Sequence, residues 1–313
     1  MTIIEELKPD STSKETILTI GVFDGVHLGH RHLISELTSR ASATKRRAGV
    51  ITFQNHPASV INPEFKPNFI TSVTERVNLL LDTGVDFVTP ISFDHEVSRL
   101  TAEKFTRILV EILNMSGLIV GPDFHMGKNR DADVSKLAEI GVSQGFEVRV
   151  VDQQKTDEFP IRSTAIRNLL SEGDVQSASG MLGRYYSTVG EVMHGLKRGR
   201  GLGFPTCNLI PTVGMAIPKD GIYATFANIG NKKYMAATSI GTRPTFDEGG
   251  RTIESYILDF DQDIYGQTIK LDFIKHLRDE KAFSKVDDLI LQMNKDVEET
   301  RNILNALNST QSS

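Results

Sequence analysis

The strongest constraint on this chain is a change in its hydrophobic rhythm near residue 183. Before it, short β-rich runs alternate with stretches of helical spacing. Thr16–Val22, Gly49–Phe53, Phe87–Ile91, Gly117–Val120 and Glu147–Val151 read as strands, with His32–Arg40, Thr74–Leu81, Ala102–Leu113 and Val134–Gln144 as helices between them. Such alternation requires a mostly parallel sheet covered by helices, and ligands of these sheets bind beyond the carboxyl ends of the strands. Ser163–Leu170 and Asp174–Leu182 close this half as two further helices. After Gly183 the runs Tyr186–His194, Gly221–Ile229, Lys233–Ile240, Thr252–Asp259 and Gln267–Ile274 follow one another with Gly, Pro, Asn and Asp between them and no helix. That pattern predicts an antiparallel barrel or sandwich. Ser284–Leu307 is again helical in spacing, with Val286, Leu289, Ile290, Met293, Val297 and Ile303 on or near one face. The 313 residues suit two domains, placed at 1–184 and 185–313.

Composition narrows the function classes. The net charge of −5 is spread without a basic block, against a general nucleic-acid binder, which needs a basic face. No apolar run approaches the roughly 20 residues that span a bilayer, and MTIIEELKPD lacks the basic-then-apolar order of a secretory signal. Cys207 is the only cysteine, which rules out an intrachain disulfide or a cysteine zinc site. A cytoplasmic protein acting on small molecules is the expectation.

The segment GVFDGVHLGH, Gly21 to His30, runs directly off the first strand into the first helix. Its glycines permit a tight turn and close approach of a ligand to backbone, and the helix N-terminus beyond offers free N–H groups to an anion. His27 and His30, three residues apart, can share one face and donate to a phosphate as charge develops on it. The alternative is a turn with two surface histidines, but the convergence of Asp24, two histidines and three glycines in this context favours a phosphate site. Zinc fits less well, because no third ligand lies at suitable spacing.

In the second half, residues 195–208 hold four glycines and three cations, either an exposed basic hairpin loop or a phosphate cradle. Glu254 lies among β-rich residues and on its own reads as a solvated strand carboxylate. Asp259, Asp261 and Asp263 lack the spacing of a calcium loop and read as turn residues. Cys207 reads as a small buried hydrophobe.

The string G-x-F-D-G-x-H-x-G-H resembles the H-x-G-H signature of the nucleotidyltransferase superfamily. In this wording it is similar to the adenylyltransferase module of bacterial bifunctional riboflavin kinase/FMN adenylyltransferases. ITFQNHP at 51–57, Glu75-Arg76, VGPDFHMG at 120–127, STAIRNLLSEGDV at 163–175 and LGRYYS at 182–187 continue the match. FPTCN at 204–208, IGTRPTF at 240–246, Glu254 with Leu258–Asp261, Ile264-Tyr265-Gly266 and LRDEKAF at 277–283 resemble the riboflavin kinase module. The resemblance covers residues 16 to 305. It implies a Rossmann-like α/β domain with a parallel sheet, then a six-stranded Greek-key β-barrel with a C-terminal helix. It further implies phosphorylation of riboflavin to FMN and adenylylation of FMN to FAD, with ATP as co-substrate and Mg²⁺ as cofactor.

The same resemblance implies roles for residues. His27, His30 and Arg167 would stabilise the α-phosphoryl transition state. Gly21, Phe23, Asp24 and Gly25 would form the nucleotide turn, and Ser163 and Thr164 a second phosphate clamp. Asn55, Asp123 and Phe124 would lie on the FMN side. In the barrel, Thr206 and Asn208 would hold Mg²⁺ and Glu254 would be the general base. Gly195, Lys197, Arg200, Gly203 and Pro205 would cradle ATP, and Arg278 and Phe283 would contact the flavin. The chain departs from the family pattern at Arg162, where serine is common, at Gln54-Asn55, where F-D-P-H-P is usual, at His125-Met126 within F-x-F-G, and at Ala132, near which glycine is favoured.

Overall fold

The structure, a computed structural model, describes residues 2–7, 14–152, 161–193, 201–242 and 251–311. The chain divides into two compact units, Met1–Ser163 and Thr164–Ser313.

The first unit contains α1 (Ile3–Leu7), β1 (Thr16–Gly21), α2 (Leu28–Thr44), β2 (Arg47–Phe53), α3 (Pro57–Ile61), α4 (Val73–Leu81), β3 (Phe87–Ile91), α5 (Ala102–Leu113), β4 (Met115–Val120), α6 (Val134–Gln144) and β5 (Glu147–Val150). The five strands are parallel in the order β3-β2-β1-β4-β5. Their central members are buried on both faces, as a sheet covered by helices requires. Alternate residues divide between two cores: Leu18, Ile20, Ile51 and Leu118 pack with α5 and α6 residues, while Ile17, Val50 and Ile119 pack with α2 and α4. From β1 the chain first builds outward through β2 and β3, then returns to place β4 on the other side. The loop after β1 therefore opens at the switch point of the sheet, where open α/β folds bind ligands.

The second unit holds most of α7 (Ser163–Glu172), then α8 (Val175–Leu182), β6 (Tyr186–Met193), β7 (Thr206–Leu209), β8 (Gly221–Ile229), β9 (Lys232–Thr242), β10 (Arg251–Ile257), β11 (Thr268–Arg278) and α9 (Val286–Gln311). The six strands close into a barrel in the order β10-β7-β6-β11-β8-β9, every pairing antiparallel. Alternating burial along β6 and β10 reflects one face turned inward. Hydroxyls buried inside the barrel satisfy one another: Thr225 meets Thr238 at 2.7 Å, and Thr238 meets Ser255 at 2.9 Å. On the outside, Leu304 of α9 packs on Ala224, Phe226 and Ile274.

The change of rhythm near residue 183 thus separates a parallel sheet from a closed barrel. Several elements escaped the pattern, among them the five-residue helices α1 and α3. The strand β7 is only four residues long and sits in a stretch whose glycines and cations read as loop. The helix α2 begins at Leu28 rather than His32, which puts His30 inside its first turn.

Candidate active sites

At the switch point, β1 ends at Gly21 and the backbone turns sharply. Phe23 (φ 49°), Gly25 (φ 82°) and Val26 (φ 41°) all adopt left-handed conformations. For the β-branched Val26 this is costly, and such strain persists where surroundings over-determine it. Here the surroundings are a fully buried Val26 side chain and a dense set of hydrogen bonds. The Asp24 carboxylate accepts from the Ile70 N–H at 2.9 Å and the Thr71 N–H at 3.1 Å, while the Gly25 N–H donates back to the Thr71 hydroxyl at 3.0 Å. The Thr52 hydroxyl donates to the Val22 carbonyl at 3.0 Å. The turn is therefore held before any ligand arrives.

His27 is the N-cap of α2, and its Nδ1 accepts from the His30 N–H at 3.2 Å. A ring whose Nδ1 accepts carries its proton on Nε2, which leaves Nε2–H as a donor. The two imidazoles stack at 3.6 Å with planes 16° apart, and Phe23 meets His30 edge-on at 5.2 Å. Burial first, then the neighbouring His27 and Arg76, hold the His30 imidazole well below its ordinary pKa, so it is neutral at physiological pH. A side chain at Gly29 would crowd the His27 ring at 3.2 Å, which explains glycine between the histidines. Ser163 reaches this turn, donating to the Asp24 carbonyl at 2.9 Å. Thr164 and Arg167 stand one helical turn apart on α7 in the second unit.

Beside the turn lies a cavity of about 190 Å³ opening at the ends of β1, β2 and β4, lined by Phe53, Phe93, Phe124 and Met126 among others. Phe53 and Phe93 meet edge-to-face at 5.4 Å. Such a slot suits a flat aromatic ligand. Asn55 shapes it indirectly, for its amide donates to the Phe93 carbonyl at 2.7 Å and accepts from the Phe93 N–H at 2.9 Å. The departures from the family pattern also find places. Met126 keeps its position apolar, packed on the core, and His125 turns outward to Arg130 at 3.0 Å. Arg162 pairs with the exposed Asp123 at 3.0 Å.

On the barrel, β7 and β10 pair so that Asn208 lies opposite Glu254 and Thr206 opposite Tyr256. Thr206 and Asn208, two residues apart, share the outer face with Glu254, while Cys207 between them turns inward. The Thr206 hydroxyl stands 3.4 Å from the Glu254 carboxylate. Burial pushes the Cys207 thiol up to about 11, so it is protonated and inert. A cavity of about 280 Å³ begins at Thr206, Glu254 and Tyr256 and continues to Phe283, Met293 and Asp296. Arg278 lines it too, with both arms committed to Asp296 (2.9 and 2.6 Å) and a third nitrogen to the Asp279 carbonyl at 3.0 Å. Gly203 and Pro205 precede β7, Phe204 meets Tyr256 at 5.3 Å, and Gly195, Lys197, Arg200 and the stretch 243–246 lie outside the described residues. Among the described residues no group of three or more His, Cys, Asp or Glu side chains could hold a metal.

Residues 10–165 match the family model for FAD synthetase and residues 182–304 that for riboflavin kinase. A bifunctional riboflavin kinase/FMN adenylyltransferase of Listeria monocytogenes is 34% identical over 93% of this chain and 93% of its own. This chain belongs to that bifunctional family. The enzymes of the same description from Escherichia coli K12 and Bacillus subtilis are 33% and 30% identical, each over at least 90% of both chains. A crystal structure of a Streptococcus pneumoniae protein described as a macrolide-efflux protein superposes with a TM-score of 0.87 at 31% identity, covering 93% of this chain and 95% of that one. Among the described residues, no helix of this chain is long and apolar enough to cross a membrane. The enzyme phosphorylates riboflavin and adenylylates FMN, taking ATP, riboflavin and FMN as small-molecule substrates.

The structure brings together His27, His30, Gly21, Phe23, Asp24, Gly25 and Ser163 at one turn, and Thr206, Asn208 and Glu254 on one strand pair. Sequence reasoning missed Asp296, although an acid inside the apolar stripe Leu289–Met293–Val297 of α9 was a usable signal.

Proposed function

We propose that the two reactions divide at residues 184/185, with 1–184 transferring the adenylyl group and 185–313 phosphorylating riboflavin, in a cytoplasmic enzyme. The observation that carries this reading is the contrast between the sites. The turn offers a stacked histidine pair at a helix N-terminus, and the barrel offers a carboxylate beside hard oxygen donors.

In adenylyl transfer, an oxygen of the FMN phosphate attacks the α-phosphorus of ATP, and pyrophosphate leaves with the electrons of the broken P–O bond. The nucleophile is already anionic, so no general base is needed; positioning and charge stabilisation supply the acceleration. Nε2–H of His27 and the His30 imidazole donate to the phosphates, and Ser163, Thr164 and Arg167 clamp them. Gly21, Phe23, Asp24 and Gly25 shape the turn. Phe124 lines the flavin slot, Asn55 holds Phe93 in it, and Asp123 would serve the flavin side.

In phosphorylation, Glu254 takes the proton of the riboflavin 5′-hydroxyl as that oxygen attacks the γ-phosphorus, and ADP leaves. A neutral alcohol gains from such a base. The Thr206 hydroxyl and Asn208 side-chain carbonyl suit Mg²⁺, which takes few protein oxygens and keeps phosphate and water for the rest. Bound there, the ion would neutralise charge on the transferred phosphoryl group. Gly195, Lys197, Arg200, Gly203 and Pro205 cradle the nucleotide, and Phe283 contacts the flavin. Arg278 serves the flavin pocket through its hold on Asp296.

The test is a product assay. Incubation with riboflavin, ATP and Mg²⁺, followed by chromatography, should give FAD with the wild type and FMN alone with His30→Ala. Glu254→Ala should form little FMN yet convert supplied FMN to FAD. FMN production near wild type in Glu254→Ala would refute the base, and chelation of Mg²⁺ without loss of FMN formation would refute the metal.

A further inference from the structure

Arg76 lies in the first turns of α4, whose N-cap Ser72 accepts from the Glu75 N–H at 3.2 Å. Its side chain is fully buried and heads the largest fully buried side chains among the described residues. A guanidinium carries five N–H donors and stays charged, so a buried one is ordinarily matched by carboxylates and carbonyls. Arg278, though only half-buried, meets that expectation, with Nε, Nη1 and Nη2 all bonded. Arg76 does not. Its Nη1 donates to the Val22 carbonyl at 2.5 Å, while Nε and Nη2 have no hydrogen-bond partner. The carboxylate within electrostatic reach is Asp24, whose oxygens already serve the Ile70 and Thr71 N–H groups. Phe69, 5.6 Å from the guanidinium carbon, adds only its ring face.

These features lie against the strained turn. Val22, which Arg76 holds, precedes the left-handed Phe23, and the guanidinium charge reaches His30. His30 also leaves its buried Nδ1 unpartnered. A buried positive charge with donors unused, directly under a turn built of phosphate-binding elements, is incomplete without an anion above it.

We propose that Arg76 is a positioning residue of adenylyl transfer: through Val22 it fixes the turn, and its buried charge favours the triphosphate of ATP over the empty site. This rests on the reading of Gly21–His30 as the phosphate site. A charge acting from inside the protein is screened less than one on the surface, and a planar guanidinium is only partly replaced by an ammonium.

The experiment uses the full chain with Arg76→Met and Arg76→Lys, measuring FAD formation from FMN and ATP. Riboflavin phosphorylation by the same preparations checks their integrity. Arg76→Met should lower kcat/KM for ATP by roughly 30-fold or more, a loss typical of one charge-stabilising group, while KM for FMN changes less than about threefold. Arg76→Lys should recover most of that loss. FAD formation by Arg76→Met within about threefold of wild type, or equal loss in both variants, would overturn the proposal. Should Arg76→Met fail to fold, the wild-type chain labelled with ¹⁵N-arginine decides. The Arg76 Nε–H signal, identified by its loss in Arg76→Lys, should shift on saturation with α,β-methylene-ATP, and a signal that stays in place overturns the role. His30→Ala, run alongside, separates the two levels. FAD formation that survives His30→Ala refutes the phosphate-site reading itself, whereas its loss there with Arg76→Met near wild type refutes Arg76 alone.

Discussion

The turn of the first unit and the edge of the barrel both sit where ATP chemistry is expected, yet they keep their charge in opposite ways. At the turn, the Asp24 carboxylate is engaged in holding backbone, and the nitrogens without a partner are Nδ1 of His30 and Nε and Nη2 of Arg76. At the barrel, the half-buried guanidinium of Arg278 is bonded at all three nitrogens, and the groups that share the outer face are oxygens of Thr206, Asn208 and Glu254. The difference follows the nucleophile. An anionic phosphate asks for positive charge around it, while a neutral alcohol asks for a base and a metal site.

The comparison can be broken first at Glu254. Glu254→Gln should lower FMN formation by about 10²–10⁴, the usual worth of a general base, and leave FAD formation from supplied FMN within about twofold. Loss of both activities would show that the oxygens of the barrel do not serve one reaction alone. Next in size is His30→Ala, expected to slow FAD formation by about 10²–10³ with riboflavin phosphorylation intact. A wild-type rate would remove the histidines from the argument.

Asp296→Asn tests the engaged arginine. It leaves Arg278 half-paired beside the flavin pocket, with an expected cost of about 3 kcal/mol in denaturant unfolding and a riboflavin KM raised roughly tenfold. An unchanged KM would make the Arg278–Asp296 pair a staple for α9 only.

A pH titration sharpens the contrast further. Burial is the leading cause of the depressed pKa of both His30 and His276, the latter in the barrel. Each binds fewer protons folded than unfolded, so each contributes stability that is lost as pH falls below the unfolded value of about 6.5. Denaturant midpoints between pH 7.5 and 5.5 should therefore fall, and fall less in His30→Gln or His276→Gln. A steeper fall in either variant would reverse the sign.

The smallest effect belongs to Arg162→Ser. Its pair with Asp123 is exposed on both sides, so stability should change by less than about 1 kcal/mol and FAD formation by less than about threefold. A larger fall in FAD formation would make this departure from the family pattern part of the site.

Much of this was legible in the chain itself. Period-two and period-3.6 patterns located nearly every long element, since each must bury one face. The glycines and histidines of Gly21–His30 declared a turn at a strand end, because few other uses need that combination. The short strand β7 was not legible, for four residues amid glycines and cations carry too little periodicity, and its pairing with β10 is a long-range contact. Asn55 illustrates a subtler limit: its residue type announced a polar role, but its partner, the Phe93 backbone, lies 38 positions away.

By itself, then, the sequence determined the two architectures, the phosphate turn and the identities of the reactive side chains, all of which depend on local pattern. Only the tertiary structure decided which charges are already spent. Asp24 and Arg278 are bound to neighbours distant in sequence, and Arg76 is buried with donors unused. Whether a buried charge is matched depends on what the fold places beside it, and that is settled by packing between elements rather than by spacing along the chain.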